Sequence, residues 1–200
     1  MIFALLTLPP MRKAMSRFEA LPTGLEGLMV VQRKMARDDR GQFGRLFCAE
    51  DLQILGWQKP LAQSNLSITQ GAGTVRGLHF QHPPHDEMKL VTCIDGSVFD
   101  VAVDLRENSK TKLQYFGTAL SAENQQAMLI PEGFAHGFQC LSDRATLIYF
   151  HSAAFHAEAA DGLHPQDPKL AITWPLEITR LSDKDSSYAM ITDKFKGVKL

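Results

Sequence analysis

Apolar and polar positions alternate along this chain in short runs, and almost nowhere do they recur at the three-to-four-residue spacing of an amphipathic helix. The clearest run is 97–105, where Phe99, Val101, Val103 and Leu105 alternate with Asp100, Ala102 and Asp104, the pattern of a half-buried strand. Residues 27–34, 42–48, 65–69, 113–120, 126–130, 134–141 and 145–152 read as further strands. Turn chemistry separates them at Asp38-Asp39-Arg40-Gly41, Ser121-Ala122-Glu123-Asn124 and Pro131-Glu132-Gly133. Asp95-Gly96 is a strong hairpin dipeptide and predicts a hairpin between the flanking strands. One short helix is expected over 49–56, entered through the acidic residues Glu50 and Asp51. From Ala153 the chain is aperiodic as far as Trp174-Pro175-Leu176. Strands spaced by roughly 8–12 residues argue for an all-β sandwich or barrel with short peripheral helices.

Composition narrows the class. Two hundred residues suit one domain, taken as 16–200 with a tail from about 153, and suffice for a sizeable core. Twenty-one basic against 22 acidic side chains leave a net charge of −1, which shows no footprint for nucleic acid. The apolar start, 1–8, is too short to span a bilayer and lacks the basic flank of a signal peptide. Residues 1–15 read as a poorly ordered extension, with Met11 or Met15 as an alternative start, so neither membrane association nor export is expected. Cys48, Cys93 and Cys140 are widely spaced and odd in number, which fits free thiols in a reducing cytoplasm.

Seven histidines raise the question of a metal. His79, His82, His85, Glu87 and His136 fall in two clusters, and Pro131-x-Gly133-x-x-His136 matches half of the second motif of metal-binding cupins. The first motif fails. Its two histidines need i and i+2 spacing to share a strand face, whereas here the spacing is three and prolines interrupt it. No metal and no cofactor is therefore expected. Metal-free acid–base chemistry needs a base near neutrality, a cation for a developing oxyanion and a proton donor opposite. His79 fits the first role, Lys89 the second, and Tyr149, inside Leu147-Ile148-Tyr149-Phe150, the third. The same residues equally fit a packed core histidine and a buried tyrosine with a satisfied hydroxyl.

Longer blocks carry a resemblance. Val75-Arg76-Gly77-Leu78-His79-Phe80-Gln81, Pro83-Pro84-His85 with Lys89, and Ser97 to Arg106 strongly resemble the dTDP-4-dehydrorhamnose 3,5-epimerases. So do Ile130-Pro131-Glu132-Gly133-Phe134-Ala135-His136-Gly137-Phe138, Asp167-Pro168 with Trp174-Pro175-Leu176, and Leu181-Ser182-Asp183-Lys184-Asp185. The blocks keep the family's order and extend roughly from Gly24 to Asp185. The resemblance implies a cupin-like jelly roll, a cytoplasmic homodimer, no metal, and a nucleotide-linked 4-keto-6-deoxyhexose as substrate. It implies that His79 takes an α-proton, Asp185 supports His79, Lys89 stabilises the enolate oxygen and Tyr149 returns a proton from the other face. It implies substrate contacts at Arg40, Gln63, Asn65, Arg76, His136 and Lys184.

Three positions depart from the family pattern: Arg45 stands where an acidic residue is usual, Phe155 where a second tyrosine is, and Ala160 near an expected glutamate. These leave open the sugar, the base and whether C3, C5 or both are inverted. A 3,4-ketoisomerase, a non-catalytic sugar-nucleotide-binding cupin and a metal-dependent cupin dioxygenase are the competing classes.

Overall fold

The computed structural model describes residues 17–200; the predicted extension over 1–15 and its alternative starts lie outside the described residues. In chain order the elements are β1 (Phe18–Pro22), β2 (Met29–Arg33), β3 (Ala36–Asp38), β4 (Gly41–Phe43), α1 (Ala49–Gln53), β5 (Gln63–Gln70), β6 (Val75–Gln81) and β7 (Lys89–Asp95). They continue as β8 (Ser97–Asp104), β9 (Tyr115–Ser121), β10 (Gln126–Ile130), β11 (Phe134–Cys140), β12 (Arg144–His151), β13 (Ala160–Gly162) and α2 (Asp183–Ser187).

One sheet has the order β1-β2-β10-β7-β12-β5, the other β13-β6-β11-β8-β9, and β3 with β4 forms a separate hairpin. Pairing within both sheets is antiparallel throughout. From β5 onwards nearly every connection leaves one sheet for the other, as in a cupin-like jelly roll. The predicted hairpin at Asp95-Gly96 is corrected by this topology: β7 and β8 belong to opposite sheets. Gly96 still makes the tight turn, at φ +71°, but the turn carries the chain across the sandwich.

The half-buried reading of 97–105 is corrected too, because β8 is covered on both faces. Val98 and Ala102 join Val91, Met128, Phe138 and Leu147 between the sheets. Val101, Val103 and Leu105 pack outward against Leu163, Leu170, Ile191 and Val198 from the tail. A third cluster, with Val31, Leu90 and Leu129, is closed by Leu52 of α1 and by Trp57. The tail that lacks periodicity is thus a lid over the second sheet, and it contributes β13 and α2, neither of which the periodicity predicts. The alternation does not predict β1 either, and only Gln42 and Phe43 of the strand expected over 42–48 lie in a strand.

Two features set up the cavity between the sheets. β6 and β11 are irregular between His136 and Phe138, and they place His136 opposite His79. At the irregularity Gly77, at φ +113°, meets Gly137 so closely that a Cβ on Gly77 would lie 2.6 Å from the Gly137 Cα. Only glycine tolerates both that φ and that approach. The second feature is the register of β12, which runs between β5 and β7 and sets His151 opposite both Gln63 and Lys89.

Candidate active site

A cavity of about 850 Å³ opens between the sheets. It brings together His79 from β6, Lys89 from β7, Tyr149 from β12 and Asp185 from α2. Asn65, Arg76, His136 and Lys184 line it as well. Arg40 does not: it sits on the exposed β3–β4 turn, paired with Asp38 at 2.6 Å. Gln63 is not among the lining side chains; it donates to Asn65 Oδ1 and accepts from the Phe155 backbone N–H.

His79 Nε2 lies 2.6 Å from Asp185 Oδ1. A carboxylate only accepts, so Nε2 carries the proton and Nδ1 keeps its lone pair. Asp185 is itself held twice more: its Oδ2 accepts from Gly77 N–H, and its own N–H donates to Ser182 Oγ, which caps α2. Burial alone would raise this carboxyl, but the His79 hydrogen bond and charge, with the Gly77 N–H, override it and hold it below the ordinary aspartate value. The arrangement keeps an imidazole with a free nitrogen at the cavity wall, backed by a fixed anion.

Lys89 is buried, yet its ammonium meets the His79 carbonyl at 3.2 Å and Glu87 Oε1 at 3.2 Å. Tyr149 packs against the central core, edge-on to His136 and parallel to His151. Burial first, then the Asp100 carboxylate, pushes its phenol well above the ordinary value, with Arg76 opposing. It is therefore a proton donor and not a base at neutral pH. His136 Nε2 lies 2.8 Å from Asp100 Oδ1, and both side chains are buried. Arg76, Arg180 and Lys184 line the cavity with no carboxylate partner among the described residues, so they leave it a cationic stretch suited to phosphate oxygens.

Among the described residues no three His, Cys, Asp or Glu side chains converge as a metal ligand set. His82 pairs with Asp161 at 2.9 Å, and His85 stacks on His156 with ring centroids 3.9 Å apart. Nor is any described helix long and apolar enough to cross a membrane. Cys93 and Cys140 are buried and free, as expected, and burial raises the Cys93 thiol to about 11.

Sequence reasoning missed four cavity residues or their partners. Alternation puts Asp100 on the polar face of a half-buried strand, and that face looks into the sandwich. Glu87 stands out in the sequence only as one of the carboxylates near the histidines. His151 escaped notice, although its i+2 spacing from Tyr149 puts both on one strand face. Arg180 carried no periodic signal.

The comparisons with known proteins agree with one another. The family model described as dTDP-4-dehydrorhamnose 3,5-epimerase matches residues 22–193. A dTDP-4-dehydrorhamnose 3,5-epimerase of Methanothermobacter thermautotrophicus is 39% identical over 87% of this chain and 95% of its own length. A dTDP-4-dehydrorhamnose 3-epimerase of Streptomyces niveus is 38% identical over 86% of this chain and 83% of its own. The crystal structure of dTDP-6-deoxy-D-glucose-3,5-epimerase from Legionella pneumophila, in complex with dTDP-4-keto-L-rhamnose, superposes with a TM-score of 0.85 at 37% identity, covering 92% of this chain and 98% of that one.

Proposed function

The chain belongs to the dTDP-4-dehydrorhamnose 3,5-epimerase family, and from that premise we propose how its cavity inverts a carbon beside a sugar ketone. The protein is an isomerase, an epimerase of dTDP-4-keto-6-deoxyglucose in deoxysugar biosynthesis. The observation that carries the mechanism is the meeting of the His79–Asp185 dyad, the Lys89 ammonium and the Tyr149 phenol in one cavity.

C3 and C5 flank the C4 ketone, so removal of either proton yields an enolate. His79 Nδ1 takes the proton, and Asp185 stabilises the imidazolium that forms. The electron pair of the broken C–H bond forms a double bond to C4 as the carbonyl π pair moves onto the C4 oxygen, where Lys89 meets the growing charge. Tyr149 delivers a proton to the same carbon from the opposite face and inverts it. The tyrosinate is then reprotonated from solvent, and His79 returns its proton there. Arg76, Lys184 and the unpredicted Arg180 receive the diphosphate, with His136, held by Asp100, beside the sugar.

A second reading, inversion at C3 alone, is favoured by two observations. The Streptomyces niveus 3-epimerase is as similar to this chain as the double epimerases are, and Phe155 lines the cavity without a hydroxyl. Product NMR decides between them, since inversion at both carbons and inversion at C3 alone give different coupling patterns. A product with its carbonyl moved to C3 would contradict both.

We further propose a homodimer acting in the cytoplasm. Arg40 and the 80% exposed Phe43 lie on an exposed hairpin that contributes no residue to the lining of the chain's own cavity, as expected of a segment offered to a second copy. A single-chain mass in sedimentation equilibrium would contradict the dimer. Free, buried Cys93 and Cys140 fit a reducing compartment, and recovery of the protein with secreted material would contradict that location.

A further inference from the structure

Glu87 has no role in the chemistry above, yet its carboxylate, only 10% exposed, lies against the ammonium that must receive the enolate. A fixed anion beside an oxyanion donor competes with the substrate for it, unless that anion is engaged elsewhere. Glu87 is so engaged. Its Oε1 lies 3.2 Å from Lys89 Nζ, while its Oε2 lies 2.7 Å from His151 Nδ1. Beyond the imidazole, His151 Nε2 faces Asn65 Nδ2 at 3.3 Å, Asn65 Oδ1 faces Gln63 Nε2 at 3.2 Å, and Gln63 Oε1 faces the Phe155 backbone N at 3.0 Å. The row follows the sheet: His151 is in register with Gln63 on one side and Lys89 on the other.

One end of this row, the Phe155 N–H, only donates and the other, the Glu87 carboxylate, only accepts, so its polarity is determined. The Phe155 N–H requires Gln63 to present its oxygen there and its amide N–H to Asn65. Asn65 must then accept with its oxygen and point its amide N–H at His151 Nε2, which accepts. The proton of the imidazole is therefore on Nδ1, where Glu87, able only to accept, requires it from the other end. A second proton on the ring would oppose N–H to N–H at Asn65. Burial alone would raise the Glu87 carboxyl, but the His151 hydrogen bond and the Lys89 charge override it and hold it below the ordinary glutamate value.

We propose that Gln63, Asn65, His151 and Glu87 form a one-directional hydrogen-bond relay that positions Lys89 and divides the Glu87 charge, so that the ammonium stays available to the enolate oxygen. The inference rests on the epimerase mechanism, in which Lys89 faces that oxygen. It gives Gln63 and Asn65 a place in the positioning of Lys89, beside the substrate contacts the family resemblance implies. His151 is a positioning residue acting through Glu87, and its ring, parallel to Tyr149 with centroids 6.0 Å apart, borders the proton donor as well.

The test uses the full-length enzyme and two substitutions. His151→Phe keeps the ring beside Tyr149 but can neither donate nor accept. It is expected to lower kcat about tenfold, the size of one lost hydrogen bond to a charged acceptor, with KM and dTDP affinity within about twofold of wild type. His151→Asn presents an amide N–H where Nδ1 stands and is expected to recover kcat to within about threefold of wild type. A kcat unchanged in His151→Phe would overturn the proposal, as would an Asn variant no better than the Phe variant. Loss of dTDP binding in His151→Phe would overturn it too, since the residue would then hold the cavity as a whole. A wild-type enzyme that fails to turn over the 4-keto sugar would instead refute the mechanism on which the relay rests, and is read from the same assay before any variant is made.

Discussion

His79→Gln is expected to lower kcat by about 10²–10⁴-fold, the range of general acid–base assistance, while dTDP affinity stays within about twofold. The substitution removes the free ring nitrogen but leaves an amide N–H where Nε2 stands, within reach of Asp185, so the carboxylate is not stranded. That matters because Asp185 is buried and its Oδ2 accepts from the Gly77 N–H, which ties α2 to β6. An alanine would leave the anion without its principal partner and mix a folding defect into the kinetics. With glutamine the loss falls on the proton-transfer step, because no group in the variant accepts the α-proton. Steady-state kinetics with dTDP titration checks the expectation. A kcat within threefold of wild type would remove His79 from the mechanism.

Lys89→Met should be nearly as damaging. One preorganised oxyanion donor is worth roughly 2.7–4 kcal/mol, or about 10²–10³ in kcat, when it faces developing charge in a site closed to water. Methionine fills the volume of the lysine stem, so the buried contacts of β7 change little. Glu87 keeps its bond to His151 Nδ1 in the variant and is not left wholly unpaired. Neither proton transfer nor oxyanion stabilisation alone reaches typical enzymatic acceleration, about 10⁶-fold at its lower end, so loss of either is felt almost in full. Because the ammonium acts on the enolate more than on the ketone, kcat falls and KM hardly moves. The opposite pattern, a raised KM with kcat intact, would make Lys89 a substrate anchor instead.

How much of this was legible in the residues depends on which physical rule each feature obeys. The strands that carry His79, Lys89 and Tyr149 follow alternation and turn chemistry, and these are local. Which strands pair is not local. Asp95-Gly96 makes a tight turn whether the next strand joins the same sheet or crosses to the other, so the hairpin expectation failed while the turn held. Alternation likewise separates two faces of β8 without saying what covers each. Asp100 looked solvent-facing because it is charged, yet a sandwich that holds a polar cavity puts charged side chains inside, paired with partners such as His136. Asp185 came only through the Leu181-to-Asp185 motif, since nothing in an aperiodic tail says that α2 docks on β6. β13 is three residues held by backbone pairing to β6 and has no side-chain signature at all. The relay from Phe155 to Lys89 joins residues up to 92 positions apart, and only the register of β12 between β5 and β7 brings them into a row.

The central claim is that this cavity moves protons on and off a carbon beside the sugar ketone. Solvent-deuterium exchange tests it most directly. Wild-type enzyme treated with EDTA is incubated with dTDP-4-keto-6-deoxyglucose in D2O, and the C3 and C5 proton signals are followed by NMR beside the His79→Gln variant. The account predicts deuterium at C3, at C5 or at both in the wild type, and exchange slowed by about 10²-fold or more in the variant. Wild-type exchange no faster than the enzyme-free background, or equal exchange in the variant, would contradict it.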